Sequence, residues 1–161
     1  MTKYENWSKC EVANVVKEWL VEDGLPVQDF EDENTDINYA TKQGGVKINI
    51  GFHKRSKDSL IVMGGVHLET HEQEMFRYTK VKREFLYDIE MFFIQMNLDY
   101  VLSSSSKDGE FTVKDIKLQK TIYFDGLTKD RLFDIMSSIF NCLKLLKTKF
   151  LLLGKYKPES A

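Results

Sequence analysis

Residues 70–97 limit what this chain can fold into more than any other stretch. Thr70 and Gln73 have the spacing of a capping box at a helix start. Met75, Tyr78, Phe85, Ile89, Phe92 and Met96 follow at helical spacing, which predicts one long helix. Across 86–96 only Asp88, Glu90 and Gln95 are polar. A helix apolar on nearly every side has to be covered on nearly every side. Phe85, Ile89, Phe92 and Met96 suit a sheet beneath the helix. Leu86, Phe93 and Ile94 point elsewhere, with Met91 between them. That second set calls for another helix or a second subunit.

The sequence ahead of this helix opens with a second one. Ser8 and Glu11 form a capping box, and Val12, Val15, Val16, Trp19 and Leu20 make one apolar stripe. Gly24 and Pro26 end it. Residues 25–31 read as a short irregular strand. Every charged residue in 22–36 is acidic, which suits an exposed edge that resists unwanted pairing. Residues 37–41 are a second strand, turned at Gly44-Gly45. Val46, Ile48, Ile50 and Phe52 then alternate with Lys47, Asn49, Gly51 and His53. Leu60, Val62, Gly64 and Val66 alternate again after a polar turn. Pairing Phe52 with Leu60 puts all of these on one face. Ile61 and Met63 fall on the other face, open or covered by a partner.

Beyond the long helix, Leu98, Tyr100 and Leu102 alternate as a strand, and 103–110 read as a polar loop holding the turn pair Asp108-Gly109. Phe111 and Val113 begin a return strand. Ile116, Leu118 and Ile122 have the opposite parity, so a bulge is expected near Lys114 and Asp115. Asp125-Gly126 breaks the strand, and Thr128 caps a last helix striped by Leu132, Ile135, Met136, Ile139, Leu143 and Leu146. Gly154 ends it, and 155–161 form a polar tail. Tight turns between strands make the sheet antiparallel and the class α+β: helix, three to four strands, long central helix, two strands, C-terminal helix.

The 161 residues suit a single domain. With 25 acidic and 23 basic residues, the net charge of −2 gives no global attraction to nucleic acid or to an anionic membrane. No apolar run has the length of a membrane span, and the first residues lack a signal-peptide core. Cys10 and Cys142 fall inside helical patterns and read as packing residues rather than a disulfide. The expected compartment is the cytoplasm.

Several groups have the residue types that chemistry needs. His67, His71, Glu69 and Glu72 gather two histidines and carboxylates, the raw material of a metal site. His67 belongs to a strand and His71 to a helix, so their spacing does not make a closed site. Asp32, Asn34 and Asp36 alternate like calcium ligands but lack the loop glycine and the distal glutamate. Gly64-Gly65 sits inside a strand and predicts a bulge or close approach of another backbone. Arg77, Lys80, Lys82 and Arg83 make the long helix basic at its start, a solvated end, a contact for an acidic protein surface or a contact for nucleic acid. Lys144, Lys147, Lys149, Lys155 and Lys157 complement a helix C-terminus. No catalytic residue, cofactor or metal is assigned.

Lys120 to Met136 read KTIYFDGLTKDRLFDIM. With GGVKINI at Gly44 to Ile50 and WLVEDG at Trp19 to Gly24, the chain resembles a family of small, mostly archaeal proteins of unknown function. That family brings no activity or catalytic residues to carry over. The element order is also similar to the type III secretion chaperone-like fold, which implies a small dimer paired through its central helix and binding protein segments. The nearly balanced charge departs from those chaperones, which tend to be strongly acidic.

These features favour a non-enzymatic protein-interaction or chaperone-like module acting as a homodimer. The predicted interface is Leu86, Met91, Phe93 and Ile94 with Ile61 and Met63. Another protein is a second possible partner. The alternative is a small-molecule binder or enzyme with its site near His67, His71 and Glu72, or near Asp125 and Arg131.

Overall fold

The computed structural model describes Tyr4 and residues 6–75, 79–107 and 110–153. Helix α1 (Lys9–Glu22) is followed by strands β1 (Gln28–Asp29), β2 (Thr35–Gln43), β3 (Val46–His53) and β4 (Ser59–His67). Helices α2 (Thr70–Met75) and α3 (Thr79–Gln95) come next, then β5 (Asp99–Lys107), β6 (Glu110–Tyr123), a 3-10 turn (Phe124–Gly126) and α4 (Lys129–Leu153). The six strands hydrogen-bond in the order β1-β2-β3-β4-β6-β5. The fold is α+β with an antiparallel sheet. Two compact units share the chain: Met1–Gly64 with Gln119–Phe140, and Gly65–Leu118 with Asn141–Ala161.

In the first unit the expected capping box closes α1. The Ser8 hydroxyl accepts from the Glu11 N–H, and the Ser8 N–H donates to the Glu11 carboxylate at 2.7 Å. The Ser8 backbone N–H first, and then the Ser8 side chain, hold the Glu11 carboxyl below its usual range. Val12, Val16 and Leu20 are fully buried. Gly24 takes the left-handed conformation (φ +74°) that ends the helix. The Lys9 ammonium then ties α1 to the strands, donating to the Asp36 carboxylate at 2.9 Å and to the His53 carbonyl at 2.6 Å.

The β2–β3 hairpin turns on two left-handed glycines, Gly44 (φ +54°) and Gly45 (φ +79°), which suits a two-residue turn. The Phe140 ring lies 2.8 Å from where a Gly44 Cβ would sit, so a larger residue there would have to displace the ring as well as adopt a strained positive φ. β3 and β4 pair as Ile48↔Gly64, Ile50↔Val62 and Gly51↔Ile61, the register expected from Phe52 and Leu60. Ile48, Ile50, Phe52, Leu60 and Val62 are fully buried, while Ile61 and Met63 are half-buried on the other face. Phe124, just ahead of the Asp125-Gly126 break, is a core residue. Its ring packs 6.2 Å from that of Phe52, and its N–H donates to the Asp58 carbonyl at 2.7 Å. Thr128 caps α4 by accepting from the Arg131 N–H at 3.1 Å.

In the second unit the long helix is described as α2 and α3, and residues 76–78 lie outside the described part. The cap also moves by one residue. Thr70 is the first helical residue, and the Glu69 N–H donates to the Glu72 carboxylate at 2.7 Å. A carboxylate at the third helical position is a stronger acceptor than the hydroxyl expected to start the helix. Phe85, Ile89 and Phe93 are buried. Phe85 packs on Phe150 of α4 at 4.9 Å, and Phe93 packs on Tyr100 of β5 at 5.4 Å. Asn97 (φ +54°) ends α3 in the left-handed region, and the Leu98 N–H returns to the Phe93 carbonyl at 3.0 Å.

The stretch expected as a polar loop, 103–110, is instead strand through Lys107 and again from Glu110, with 108–109 outside the described residues. Serine has no strong objection to strand geometry, and neighbouring β6 supplies the ladder that local composition did not reveal. Val113 and then Ile116, Leu118 and Ile122 are all fully buried, so burial changes parity within β6 as expected. Gly154 and the tail 155–161 lie outside the described residues.

Candidate functional site

The sequence-level candidates disperse when placed in the fold. His67 ends β4 and its Nδ1 lies 2.6 Å from the Asp115 carboxylate of β6. Both are exposed, at 69% and 47% of their side-chain surface. Glu72 is used at the start of α2, and the His71 side chain lies outside the described residues. The histidine-rich junction therefore yields an exposed hydrogen-bonded histidine and a helix cap. Among the described residues, no group of three His, Cys, Asp or Glu could hold a metal ion.

The other candidates are likewise committed. The Arg131 guanidinium donates to the Gly126 carbonyl at 3.1 Å, bracing the 3-10 turn. Asp32 accepts from the Asn34 N–H at 2.8 Å, a local Asx turn, and Asp36 holds Lys9. Gly65 meets the predicted backbone, since a Cβ there would lie 3.0 Å from the Ile116 carbonyl oxygen. Cys142 is fully buried, and burial pushes its thiol up to about 11. Cys10 is exposed. Arg77, Lys155 and Lys157 lie outside the described residues, as do the side chains of Lys80 and Lys82.

What remains is one face of α3. Tyr87 is 65% exposed, Met91 40% and Ile94 61%. Their spacing, four residues and then three, stacks them in one stripe. It runs opposite the buried line of Phe85, Ile89 and Phe93. An open depression of about 620 Å³ beside it is lined by Arg83, Glu84, Tyr87 and Asp88. It is shallow and charged, unlike the enclosed apolar pocket of a small-molecule site. Asp88 is held by Lys149 of α4 at 3.4 Å. On the opposite flank Glu90 neighbours Tyr100, whose phenol is raised by desolvation and then by that carboxylate.

Of the residues expected at an interface, Met91 and Ile94 are exposed and Leu86 is half-buried. Phe93 is 1% exposed, so this chain already covers it. The helix turns Phe93 toward β5, where the Tyr100 ring meets it. Tyr87, outside the expected set, joins Met91 and Ile94 on this face. Its four-residue spacing from Met91 was the available signal.

A crystal structure of an uncharacterized protein from Methanothermobacter thermautotrophicus is similar, with 20% identity and a TM-score of 0.73 over 86% of this chain and 95% of that one. The structure of YbjN from E. coli, named as a candidate transcription regulator, is a weaker likeness, with 9% identity and a TM-score of 0.47 over 83% of this chain and 86% of that one. No curated protein matches. A family described as "Uncharacterized conserved protein (DUF2299)" matches residues 12–150, and the chain belongs to that family.

Proposed function

We propose that the protein is a non-catalytic interaction module, chaperone-like or adaptor in role, that works as a homodimer. The observation that carries this reading is the exposed stripe Tyr87, Met91 and Ile94 on α3. Large apolar side chains grouped on one helix face mark a surface that another chain covers. The stripe lies on a helix fixed from beneath by Phe85, Ile89 and Phe93, so it is presented on a rigid element. On this reading the 161 residues act as one domain in the cytoplasm, which the two free cysteines support.

Sedimentation equilibrium tests the assembly. The expected result is a dimer whose interface buries more than roughly 1,000 Å² in total. A single 18.8 kDa species up to roughly 100 μM would overturn it. Ile94→Asp and Tyr87→Asp are expected to weaken the dimer while the fold survives, because both positions are open in the protomer. Phe93→Asp is expected to unfold the protein instead, since a carboxylate there is buried unpaired.

A further inference from the structure

We infer that the homodimer closes through α3 packed antiparallel on its own copy, about a two-fold axis beside Met91, with Arg83 of each copy paired to Asp99 of the other. The inference rests on the homodimer reading and deepens it by naming the orientation of the pair and the contacts that select it.

The exposed face of α3 differs between its two ends. Arg83 and Glu84 are exposed ahead of Tyr87, Met91 and Ile94. At about 100° per residue, Arg83 falls about 40° to one side of Tyr87, so it heads the same stripe. At the other end Asn97 turns the chain, and the Leu98 N–H returns to the Phe93 carbonyl. That return keeps the exposed Asp99 at the C-terminal end of the helix. Neither Arg83 nor Asp99 has an ion pair among the described residues. The stripe therefore has a cation at one end and an anion at the other.

These charges choose between the two ways in which a helix meets its copy about a two-fold axis. With parallel helices each residue faces itself, so Arg83 meets Arg83 and Asp99 meets Asp99. With antiparallel helices the ends exchange. Tyr87 then comes opposite Ile94 of the other copy, Met91 lies beside its own counterpart, and Arg83 comes opposite Asp99. Glu84 faces the uncharged Asn97. Opposite charges at matched positions fix register and orientation. The helix dipoles favour the same choice, since each N-terminus lies beside the other copy's C-terminus. The depression lined by Arg83, Glu84, Tyr87 and Asp88 also gains an occupant. Ile94 of the other copy lies at its level and enters it as a knob enters a hole. Both contacts occur twice, so one seam covers the stripes of both copies.

Charge exchange in the full chain, read by sedimentation equilibrium, tests this. Arg83→Glu alone and Asp99→Arg alone each turn two attractive pairs into two repulsive ones. Each is expected to raise the dimer dissociation constant roughly tenfold. Mixing the two single variants restores opposite charges at both pairs, but only across the seam. The mixed dimer is therefore expected to form with the original constant. Parallel helices would instead leave each single variant at the original constant and make the mixed dimer tighter. Single variants that dimerise like the original, while Ile94→Asp dissociates, would overturn the antiparallel seam and leave a dimer through α3. Single variants that weaken without rescue in the mixture would overturn the pairing of Arg83 with Asp99. A chain that is monomeric before any substitution would overturn the homodimer reading itself.

Discussion

The backbone at Gly65 in β4 runs so close to Ile116 in β6 that a Cβ on Gly65 would sit 3.0 Å from the Ile116 carbonyl oxygen. Lys117 Cα is the next nearest atom, at 3.6 Å. Backbone cannot swing aside as a side-chain tip does. Strand pairing here therefore depends on the missing side chain.

Gly65→Ala is accordingly expected to destabilise, by about 1–3 kcal/mol. In an ordinary strand the same change relieves glycine's entropic cost and stabilises. The sign of the shift in a urea or thermal transition therefore decides the point. A neutral or stabilising alanine would mean that β4 and β6 separate at little cost.

Thr128→Ala removes the hydroxyl that accepts from the Arg131 N–H at the start of α4. The expected loss is about 1 kcal/mol, with Thr128→Ser close to the original protein. Denaturant titration of the three proteins checks it. An alanine variant as stable as the original would show that another group takes over the cap.

The two thiols are expected to behave differently. Cys10 is exposed and Cys142 fully buried with its thiol raised to about 11. A thiol-specific reagent near neutral pH is expected to modify one cysteine rapidly and the second only on unfolding. The pH dependence follows from the raised value. A folded-state pKa above the unfolded one contributes stability that is complete below pH 9.0 and is lost as pH rises toward about 11. The stability gap between the original protein and Cys142→Ala should therefore narrow over that interval. A gap of constant size would show that the thiolate is not disfavoured in the fold.

Zinc is expected to be absent from protein purified without chelator. His67 pairs with Asp115, and Glu72 accepts from the Glu69 N–H. Elemental analysis measures this directly. Stoichiometric zinc that disappears in His71→Ala would shift the reading toward a metal-dependent activity.

Much of the architecture is legible in local sequence. The α1 capping box, the Gly44-Gly45 turn and the β3–β4 register each follow from interactions within a few residues or from strict alternation. These features depend on backbone geometry and on which face of an element is apolar, and both are written locally. The tertiary structure decided three further matters. It ordered the strands β1-β2-β3-β4-β6-β5, leaving 99–107 as an edge strand where a polar loop was expected from 103 onward. It turned Phe93 onto Tyr100 and left Tyr87 and Ile94 open, a choice helical periodicity cannot make when the helix is apolar all round. It also brought Asp115, 48 residues away, beside His67. Each outcome depends on which distant segment arrives beside a residue, and spacing along the chain does not encode that.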